Sequence, residues 1–344
     1  MTAAELQHSA AASFTTTRSY DVFDRLASET DRYGNPLQFV YDLNGNRLSR
    51  IDTTGTTSTV PDALNRIIQV TPPNGDTTQT IYTPAGRVQS VTTPSGLVSV
   101  TSYDPAGRIV TLTHKHNAAP VASYAYGYDA NGNRIEQDET NGGMTEVTTY
   151  GYDDDDRLTD VTYPDRTAHY DLDGVGNRTQ ETQTDPASHA QIRQVTATFN
   201  TRDQLTQLAD TTAATITYSY DANGNISTKS QSGQVTTYRN NAQDRLATLS
   251  LQGAPPSQAS SYDYDASGMR VAKTTNGNTT HYRYDQQSLI QETNTLCNLL
   301  ARYDYSADRQ LAEVRNSNTN YFLHDALKSP IAQVTSQGAI AMRA

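Results

Sequence analysis

The sequence contains one cysteine, Cys297, and no tryptophan among its 344 residues. A single cysteine excludes both a disulfide within the chain and a metal cluster built from cysteines. Long apolar runs are missing too, and no stretch approaches the roughly 18 consecutive apolar residues of a membrane-spanning helix. The sequence therefore indicates neither a disulfide-stabilised module nor a helical membrane protein.

Positive charge is also scarce: 26 Lys and Arg residues stand against 37 Asp and Glu, which gives a formal net charge of −11. Nucleic acid and anionic membrane surfaces are bound by clustered basic residues, and no such cluster is visible. The first residues lack the basic and apolar regions of a signal peptide. We therefore expect either secretion or surface display by a non-classical route, with the chain in the cytoplasm before export, or an internal piece of a longer protein.

The apolar content is low, at 35% hydrophobic residues, and the mean hydropathy is −0.68. Tyrosine dominates the aromatic residues, with 22 Tyr against 5 Phe. This composition is too polar for a thick core that is covered on both sides. It favours a sheet with one modestly packed face and one wetted face.

One phrase recurs along the whole chain: Tyr-Asp, a short turn rich in Asn and Gly, and often an Arg followed by an aliphatic residue. Many copies lie about twenty residues apart, and such a fixed period indicates a repeat architecture. The copies that define the motif contain Tyr41, Asp42 and Gly45; Tyr103, Asp104 and Gly107; Tyr128, Asp129, Gly132 and Arg134; Tyr220, Asp221 and Gly224; and Tyr264, Asp265 and Gly268.

Each unit reads as a β-hairpin. The flanking segments alternate small polar residues with Thr, Val, Ile and Tyr, which suit a pleated and half-buried surface. Asn-Gly between two such segments is typical of a two-residue turn in which both central residues have positive φ. The predicted fold class is therefore all-β, built from tandem hairpins in an antiparallel sheet.

The Tyr-Asp pair has a structural interpretation in this setting. We expect the tyrosine rings of successive hairpins to stack on one face of the sheet. The aspartate accepts a hydrogen bond from the backbone two residues further on and so holds the turn. The arginine after the turn is predicted to pair with a carboxylate of the neighbouring repeat.

With these residues in view, the chain resembles the RHS family of proteins, also called YD-repeat proteins. This family includes bacterial polymorphic toxins, the C component of insecticidal toxin complexes and the teneurins. The resemblance covers residues 19–344 and implies a long antiparallel sheet that spirals into part of a hollow shell. In the bacterial members, such a shell holds a C-terminal toxin polypeptide.

The end of the chain looks like the start of the RHS-associated core segment. The matching residues are Asp325, Leu327, Ser329, Pro330 and Gly338, whereas alanine and lysine stand at 326 and 328, where the family prefers histidine and glycine. We expect these departures to alter the local turn. The resemblance therefore divides the chain into an irregular N-terminus (1–18), a repeat array (19–320) and a truncated core segment (321–344) without autoprotease residues.

The sequence gives less support to a metal-binding or catalytic site than to a structural role for these residues. The Asp-x-Asn-Gly-Asn turns fail the spacing of a calcium-binding EF-hand loop. The acidic run 153–156 suits a solvated turn better than a cation site. His114 and His116 share one face of a strand, but no third ligand lies nearby in the sequence. No catalytic residue, metal ligand or cofactor site is predicted, and we expect no enzymatic activity.

The leading functional hypothesis is a scaffold that forms part of a shell around a secreted toxin or a C-terminal effector polypeptide. Its expected partners are that polypeptide or further RHS repeats. A second hypothesis is a secreted or cell-surface adhesion module whose tyrosines stack on carbohydrate. A third is an orphan, truncated RHS fragment with no activity of its own.

Overall fold

The computed structural model describes residues 16–255, 258–306, 309–335 and the backbone of 340–343. These residues form 31 β-strands and no α-helix. None of them forms a helix that is long and apolar enough to cross a bilayer. The chain divides into two compact units, of which the first holds Met1–Val98 with Tyr305–Gln310 and the second Ser99–Asp304 with Leu311–Ala344.

The first unit contains eight complete strands, and from β1 to β8 each strand pairs in antiparallel fashion with its neighbour in sequence. The strands are β1 (Thr17–Tyr20), β2 (Leu26–Thr30), β3 (Pro36–Tyr41), β4 (Arg47–Asp52), β5 (Gly55–Pro61), β6 (Ile67–Thr71), β7 (Thr78–Tyr82) and β8 (Val88–Thr92). β1 therefore begins inside the segment predicted to be irregular, whereas residues 1–15 lie outside the described residues.

The second unit repeats the same hairpin arrangement over a longer stretch of chain. Its strands are β9 (Leu97–Tyr103, from Ser99 onward), β10 (Ile109–His116), β11 (Ala119–Tyr128), β12 (Arg134–Asn141), β13 (Met144–Tyr152), β14 (Leu158–Thr162), β15 (Thr167–Leu172), β16 (Arg178–Thr184), β17 (Gln191–Phe199), β18 (Leu205–Asp210), β19 (Ala213–Tyr220), β20 (Ile226–Gln231), β21 (Gln234–Asn240), β22 (Leu246–Leu251), β23 (Ser260–Tyr264), β24 (Arg270–Thr275), β25 (Asn278–Asp285), β26 (Ser288–Asn294), β27 (Leu299–Tyr305), β28 (Gln310–Arg315), β29 (Asn318–His324), β30 (Pro330–Thr335) and β31 (Ile340–Arg343). The prediction of an all-β chain of tandem antiparallel hairpins is confirmed.

The Tyr-Asp turns differ from the predicted two-residue type. In the turn after β3, the Asp42 N–H donates to the Asn46 carbonyl at 2.9 Å and the Gly45 N–H donates to the Asp42 carbonyl at 3.2 Å. Only Gly45 has positive φ, at 88°. This is a three-residue loop in which a type I turn is followed by a left-handed residue. The prediction of two positive-φ residues at Asn44 and Gly45 was therefore wrong.

Two-residue turns with two positive-φ residues occur at the opposite ends of the strands. Between β24 and β25, Thr275 pairs with Asn278, and the two residues between them, Asn276 and Gly277, have φ values of 51° and 75°. Five-residue turns also occur at these opposite ends, for example between Asp31 and Asn35.

The core is shallow and lies on one face of the strands. In the second unit, Leu112, Ala122, Tyr124 and Tyr126 form one buried cluster. A second cluster is formed by Val161, Ala168 and Tyr170 on β14 and β15. Tyrosine supplies much of the buried surface because its ring is apolar and its hydroxyl can reach a hydrogen-bond partner.

Candidate functional site: the linked repeat turns

The recurring turns alternate between two types along the chain. In one type the fifth residue of the turn is arginine, and in the other it is asparagine. The arginine type occurs at 21–25, 62–66, 104–108, 153–157 and 241–245, and the asparagine type at 42–46, 129–133, 173–177 and 221–225. Three turns depart from this alternation: 83–87 ends in a further arginine, 200–204 in glutamine and 265–269 in methionine. The structural repeat in these stretches is thus two hairpins rather than one.

In the turns of both types that begin with aspartate, such as 104–108 and 129–133, the aspartate binds the turn through both carboxylate oxygens. Asp104 Oδ1 accepts the Arg108 N–H at 2.8 Å, and its Oδ2 accepts Arg108 Nε at 2.6 Å. Asp129 Oδ1 accepts the backbone N–H groups of Gly132 and Asn133, both at 2.8 Å, and its Oδ2 accepts Asn133 Nδ2 at 3.0 Å. The fifth residue of the turn therefore completes the site that the aspartate begins.

These contacts stabilise the ionised carboxylates. The Asn46 side-chain amide donates to Asp42 and holds the pKa of that carboxyl below its ordinary value. The Arg66 guanidinium does the same for Asp62, with further help from the backbone N–H groups of Arg66 and Leu64. Hydrogen bonds to the charged form lower the pKa of a carboxyl even where the group is exposed.

The arginine-type turn is linked to the following turn by its guanidinium. Arg25 Nη1 donates to the Asp42 carbonyl at 2.7 Å, and the guanidinium carbon lies 4.7 Å from the centre of the Tyr41 ring. Arg108 repeats both contacts with the next turn, at 3.2 Å from the Asp129 carbonyl and 4.7 Å from the Tyr128 ring. The carboxylate partner of Arg25 and of Arg108 is the aspartate of the same turn, Asp21 and Asp104 respectively.

The asparagine-type turn is linked to the next arginine-type turn by a side-chain amide. Asn133 Nδ2 donates to Asp156 Oδ1 at 2.6 Å, and Asn225 Nδ2 donates to Asp244 Oδ1 at 2.9 Å. Both acceptors occupy the left-handed position of their turns, with φ values of 58° and 57°. The acidic run 153–156 therefore contributes to a turn and to a link between turns.

The tyrosine before each turn is bonded to the preceding hairpin through its hydroxyl. Tyr128 donates to the Ile109 carbonyl at 2.8 Å, Tyr220 to the Leu205 carbonyl at 2.7 Å, and Tyr264 to the Leu246 carbonyl at 2.9 Å. In each case the acceptor is the first residue after the preceding turn. The expected stacking of successive tyrosine rings is replaced, at Tyr41 and Tyr128, by a guanidinium over the ring.

The predicted motif residues take these positions in the structure. Gly107, Gly132, Gly224 and Gly268 have positive φ, and Gly268 closes a turn in which Asp265 accepts the Met269 N–H at 2.9 Å. Tyr103 ends β9. Arg134 lies outside the turn, and its guanidinium contacts the rings of Tyr126 and Tyr150 at 5.5 and 5.0 Å.

The sequence analysis missed the residue that ends each turn. It named the aspartate and the glycine, but not Arg108, Asn133 or their equivalents at other turns. The signal was present, because the fifth turn residue alternates between arginine and asparagine over about forty residues. It was overlooked because a period of twenty residues already accounted for the Tyr-Asp pairs.

The core-like motif near the end of the chain forms the same kind of turn. The Asp325 N–H donates to the Ser329 carbonyl at 3.0 Å, and Asp325 Oδ1 accepts the N–H groups of Leu327 and Ser329 at 2.8 Å. Lys328 takes the left-handed position with φ of 66°. The turn at 325–329 therefore has the same backbone geometry as the repeat turns, with lysine at the left-handed position. Pro330 begins β30, and Gly338 lies outside the described residues.

This C-terminal turn contacts strands that lie about 200 residues earlier in the second unit. The His114 ring is buried, with Nδ1 at 2.8 Å from Ser99 Oγ and Nε2 at 3.0 Å from the His324 carbonyl. The Ala326 N–H donates to the Tyr126 hydroxyl at 3.3 Å. Burial raises the pKa of Tyr126 to about 12. Both ring nitrogens of His114 are therefore engaged in hydrogen bonds that join strands of the second unit.

Within residues 16–255, 258–306 and 309–335, no three His, Cys, Asp or Glu side chains are grouped so as to hold a metal ion. The chemistry of the described turns is instead that of repeated hydrogen bonds and cation–π contacts. Such an arrangement can hold a long sheet together hairpin by hairpin.

Comparison with known proteins agrees with this architecture. The RHS Repeat family matches residues 62–98, 82–117 and 128–168. The fold is similar to that of a Tc holotoxin pore from Photorhabdus luminescens with a mutated TccC3, at 18% identity and a TM-score of 0.64 over 95% of this chain and 17% of that one. A crystal structure of TcdB2–TccC3–Cdc42 matches at 17% identity and a TM-score of 0.64, over 94% of this chain and 17% of that one. None of the curated protein sequences matches the chain.

Proposed function

Because the chain is an RHS/YD-repeat protein, we propose that it is one section of the wall of a shell that encloses a secreted toxin or effector polypeptide. The observation that carries this proposal is the series of links between successive turns within each unit. Arg108, for example, connects its own turn to the carbonyl of Asp129 in the next. A wall needs such links because each hairpin buries little apolar surface by itself.

The role proposed is structural rather than catalytic. The same turn geometry recurs along the chain and holds neighbouring strands of the sheet together. The carboxylates of Asp104 and Asp129 accept hydrogen bonds from backbone and side-chain donors of their own turns. The matched proteins are much longer, since this chain covers 17% of each. Further repeats and the enclosed polypeptide are therefore the proposed partners, at a site outside the producing cell.

Enclosure can be tested by protease protection. An unstructured reporter peptide with a single protease site is fused after Ala344, and its cleavage rate is compared with that of the free reporter. We expect cleavage at least about ten-fold slower in the fusion, because an enclosed site must be exposed before it is cut. The control is the same reporter fused to an unrelated β-sheet protein of similar length.

Cleavage of the reporter at the rate of the control fusion, in a chain that circular dichroism shows to be folded, would contradict enclosure by this chain. Native mass spectrometry of the same sample reports how many copies form the protecting particle. Protection that appears only in an oligomer would support a wall completed by further repeats.

The turn geometry gives less support to the carbohydrate-binding alternative. Stacking on a sugar needs an open aromatic face, and guanidinium groups lie over the rings of Tyr41, Tyr82 and Tyr128 at 4.6 to 4.7 Å. We therefore expect no selective binding in a broad glycan panel. Selective and saturable binding of one glycan class would favour the adhesion hypothesis instead.

A further inference from the structure

One arginine-type position in the alternating series lacks its arginine. The turn at 200–204 lies between two asparagine-type turns, so the series predicts an arginine at its fifth residue, but Gln204 stands there. At the equivalent positions, the guanidinium lies 4.6 to 5.2 Å from the tyrosine ring of the next repeat; these pairs are Arg25 with Tyr41, Arg66 with Tyr82, Arg108 with Tyr128, and Arg245 with Tyr264.

The backbone of this turn is otherwise unchanged. The Asn200 N–H donates to the Gln204 carbonyl at 3.0 Å, the Asp203 N–H donates to the Asn200 carbonyl at 3.0 Å, and Asp203 has the usual positive φ of 56°. The tyrosine of the next repeat also keeps its place, since Tyr220 donates to the Leu205 carbonyl. Glutamine at position 204 therefore leaves the guanidinium out, while the Tyr220 ring that a guanidinium would cover keeps its position.

The space left by the missing arginine is a pocket of about 350 Å³, lined by Asn200, Arg202, Gln204, Tyr218, Tyr220 and Asp221 among others. Among the described residues, no cationic side chain lies over the ring of Tyr220. The Gln204 amide is held away from the Tyr220 ring by two hydrogen bonds: it accepts from Asn200 Nδ2 at 2.8 Å and donates to the Gly224 carbonyl at 3.2 Å.

We propose that this pocket binds the guanidinium group of an arginine side chain supplied by another polypeptide. Neither enclosure nor any other part of the proposed shell function is needed for this binding. The pocket offers an aromatic ring face to the cation, and the backbone carbonyl of Asp221 occupies the position of the Asp42 and Asp129 carbonyls that accept Arg25 and Arg108. We therefore expect the bound guanidinium to make the same two contacts that Arg25 and Arg108 make within the chain.

The chemistry favours a guanidinium over other groups. A planar guanidinium can stack on a ring and donate to a carbonyl at the same time, whereas an ammonium is a more strongly hydrated point charge. The carboxylate of Asp221 is bonded to the N–H groups of Asn223 and Asn225, so it contributes charge rather than a direct contact. Arg202 also lines the pocket and is expected to weaken the binding of a cation.

A substitution of Arg202 tests whether the ligand carries a positive or a negative charge. Replacing Arg202 by glutamine removes a like charge, so the affinity for arginine should rise by roughly two- to five-fold at low salt. An anionic ligand, such as a carboxylate or a phosphate, would instead lose affinity in the same variant. An affinity for arginine that falls in Arg202→Gln would overturn the proposal.

The binding itself can be measured by saturation-transfer NMR with Nα-acetyl-arginine methylamide as the probe. The matched controls are the blocked forms of citrulline, which has the same shape without the charge, and of lysine. We expect saturation of the arginine side-chain protons and at least about five-fold less for citrulline. Equal signals from arginine and citrulline would overturn the proposal.

Two reciprocal variants locate the site. Gln204→Arg supplies the missing group within the chain, so it should reduce the arginine signal by about ten-fold while the turn keeps its fold. Arg245→Gln should open the equivalent space beside Tyr264 and roughly double the signal, because the turn at 241–245 also begins with asparagine and has aspartate at its fourth residue. An undiminished signal in folded Gln204→Arg, or no gain in folded Arg245→Gln, would place the ligand elsewhere and overturn the assignment.

Free L-arginine separates the two sources of the guanidinium. Its charged ammonium and carboxylate are absent from an arginine within a polypeptide. Binding of the blocked probe at least as strong as that of free arginine supports a polypeptide ligand. Binding of the free amino acid alone would assign the pocket to a small metabolite and overturn the polypeptide assignment.

Discussion

A single phenol joins neighbouring hairpins at the residue scale. Tyr128 donates its hydroxyl to the Ile109 carbonyl at 2.8 Å, and Arg108 covers its ring. The ring thus contributes apolar area and a cation–π contact, whereas the hydroxyl contributes one hydrogen bond. These contributions can be separated because phenylalanine keeps the ring and loses only the hydroxyl.

We predict that Tyr128→Phe lowers the free energy of unfolding by about 1 kcal/mol, the usual net value of a hydrogen bond between neutral groups. The measurement is equilibrium denaturation in urea. Tyr218→Phe on β19 is the matched control, since the Tyr218 hydroxyl makes no hydrogen bond to any residue that the structure describes; its effect should stay within about 0.5 kcal/mol. Equal effects of the two substitutions would show that the Tyr128 hydroxyl contributes nothing specific.

Cys297 is a residue in a backbone conformation that suits it poorly. It lies in the turn between β26 and β27 with φ of 60°, and its side chain is exposed. The Cys297 N–H donates to the Asn294 carbonyl at 3.0 Å, as in the other turns. The left-handed conformation costs an L-residue roughly 1 kcal/mol relative to glycine.

We therefore predict that Cys297→Gly raises the free energy of unfolding by up to about 1 kcal/mol. Thermal unfolding under reducing conditions measures the change without interference from thiol oxidation. Cys297→Ala keeps the Cβ atom and should give no gain. A gain of the same size in both variants would trace the effect to the thiol and contradict the explanation from the backbone.

At the scale of the hairpin, the same dipeptide adopts two conformations. Asn276-Gly277 forms the two-residue turn that the sequence predicts, with positive φ at both residues, whereas in Asn44-Gly45 only the glycine has positive φ. The difference arises from Asp42, whose carboxylate accepts the N–H and side-chain amide of Asn46. The preference of Asn44-Gly45 for a two-residue turn is thus overridden by the hydrogen bonds of Asp42.

Two glycines in one turn allow a clean test of backbone conformation. Gly174 and Gly176 both have open space where a Cβ atom would lie, but only Gly176 has positive φ, at 93°. We predict that Gly176→Ala lowers the free energy of unfolding by about 1 kcal/mol, while Gly174→Ala leaves it unchanged or slightly raised. Chemical denaturation of the two variants measures both values. Equal losses would point to a contact rather than to φ.

The sequence predicts much of the fold because each repeat carries its own signals. The period, the strands and the aspartate turn follow from residues such as Tyr128 and Asp129, which act within one or two hairpins. The links between turns were missed because Arg108 and Asn133 have the same spacing from their aspartates but different targets. Which target each one reaches depends on the neighbouring turn, so the information is spread over two hairpins.

At the scale of the whole molecule, many turn aspartates act together in acid. The pKa values of Asp42, Asp62 and Asp153 lie below the ordinary 3.8, mainly because of side-chain donors from Asn46, Arg66 and Arg157, respectively. A carboxyl with a lowered pKa stabilises the folded state above its unfolded pKa, and this stability is lost as pH falls through the folded pKa.

We therefore predict that the midpoint of thermal unfolding is nearly constant from about pH 6 to pH 5 and falls steadily below about pH 4. Circular dichroism across this range measures it. Added salt should change the slope only modestly, because neutral donors as well as arginines hold the carboxylates. A midpoint that is constant or rises down to about pH 2 would show that these turns contribute little to stability.

A contact between residues far apart in sequence distinguishes the second unit from a simple linear array. In an array, each repeat contacts its neighbours, and the stability is a sum of local contributions. Here Ala326 and Ile331 pack against the cluster of Leu112, Tyr124 and Tyr126. No spacing in the sequence predicts which hairpins meet in this way, because the path of the sheet sums small twists over many strands.

This contact predicts an effect of mutation about 200 residues away. Ile331→Ala should speed amide hydrogen exchange in β11 roughly five-fold, because the three side-chain carbons that it removes are only partly buried and together stabilise this contact by about 1 kcal/mol. Exchange in β19 and β20 of the same sample is the internal control and should not change. If only β29, β30 and β31 lose protection, the unit behaves as a linear array. A loss that also reaches β11 would show that the C-terminal turn and the β10–β11 hairpin stabilise one another.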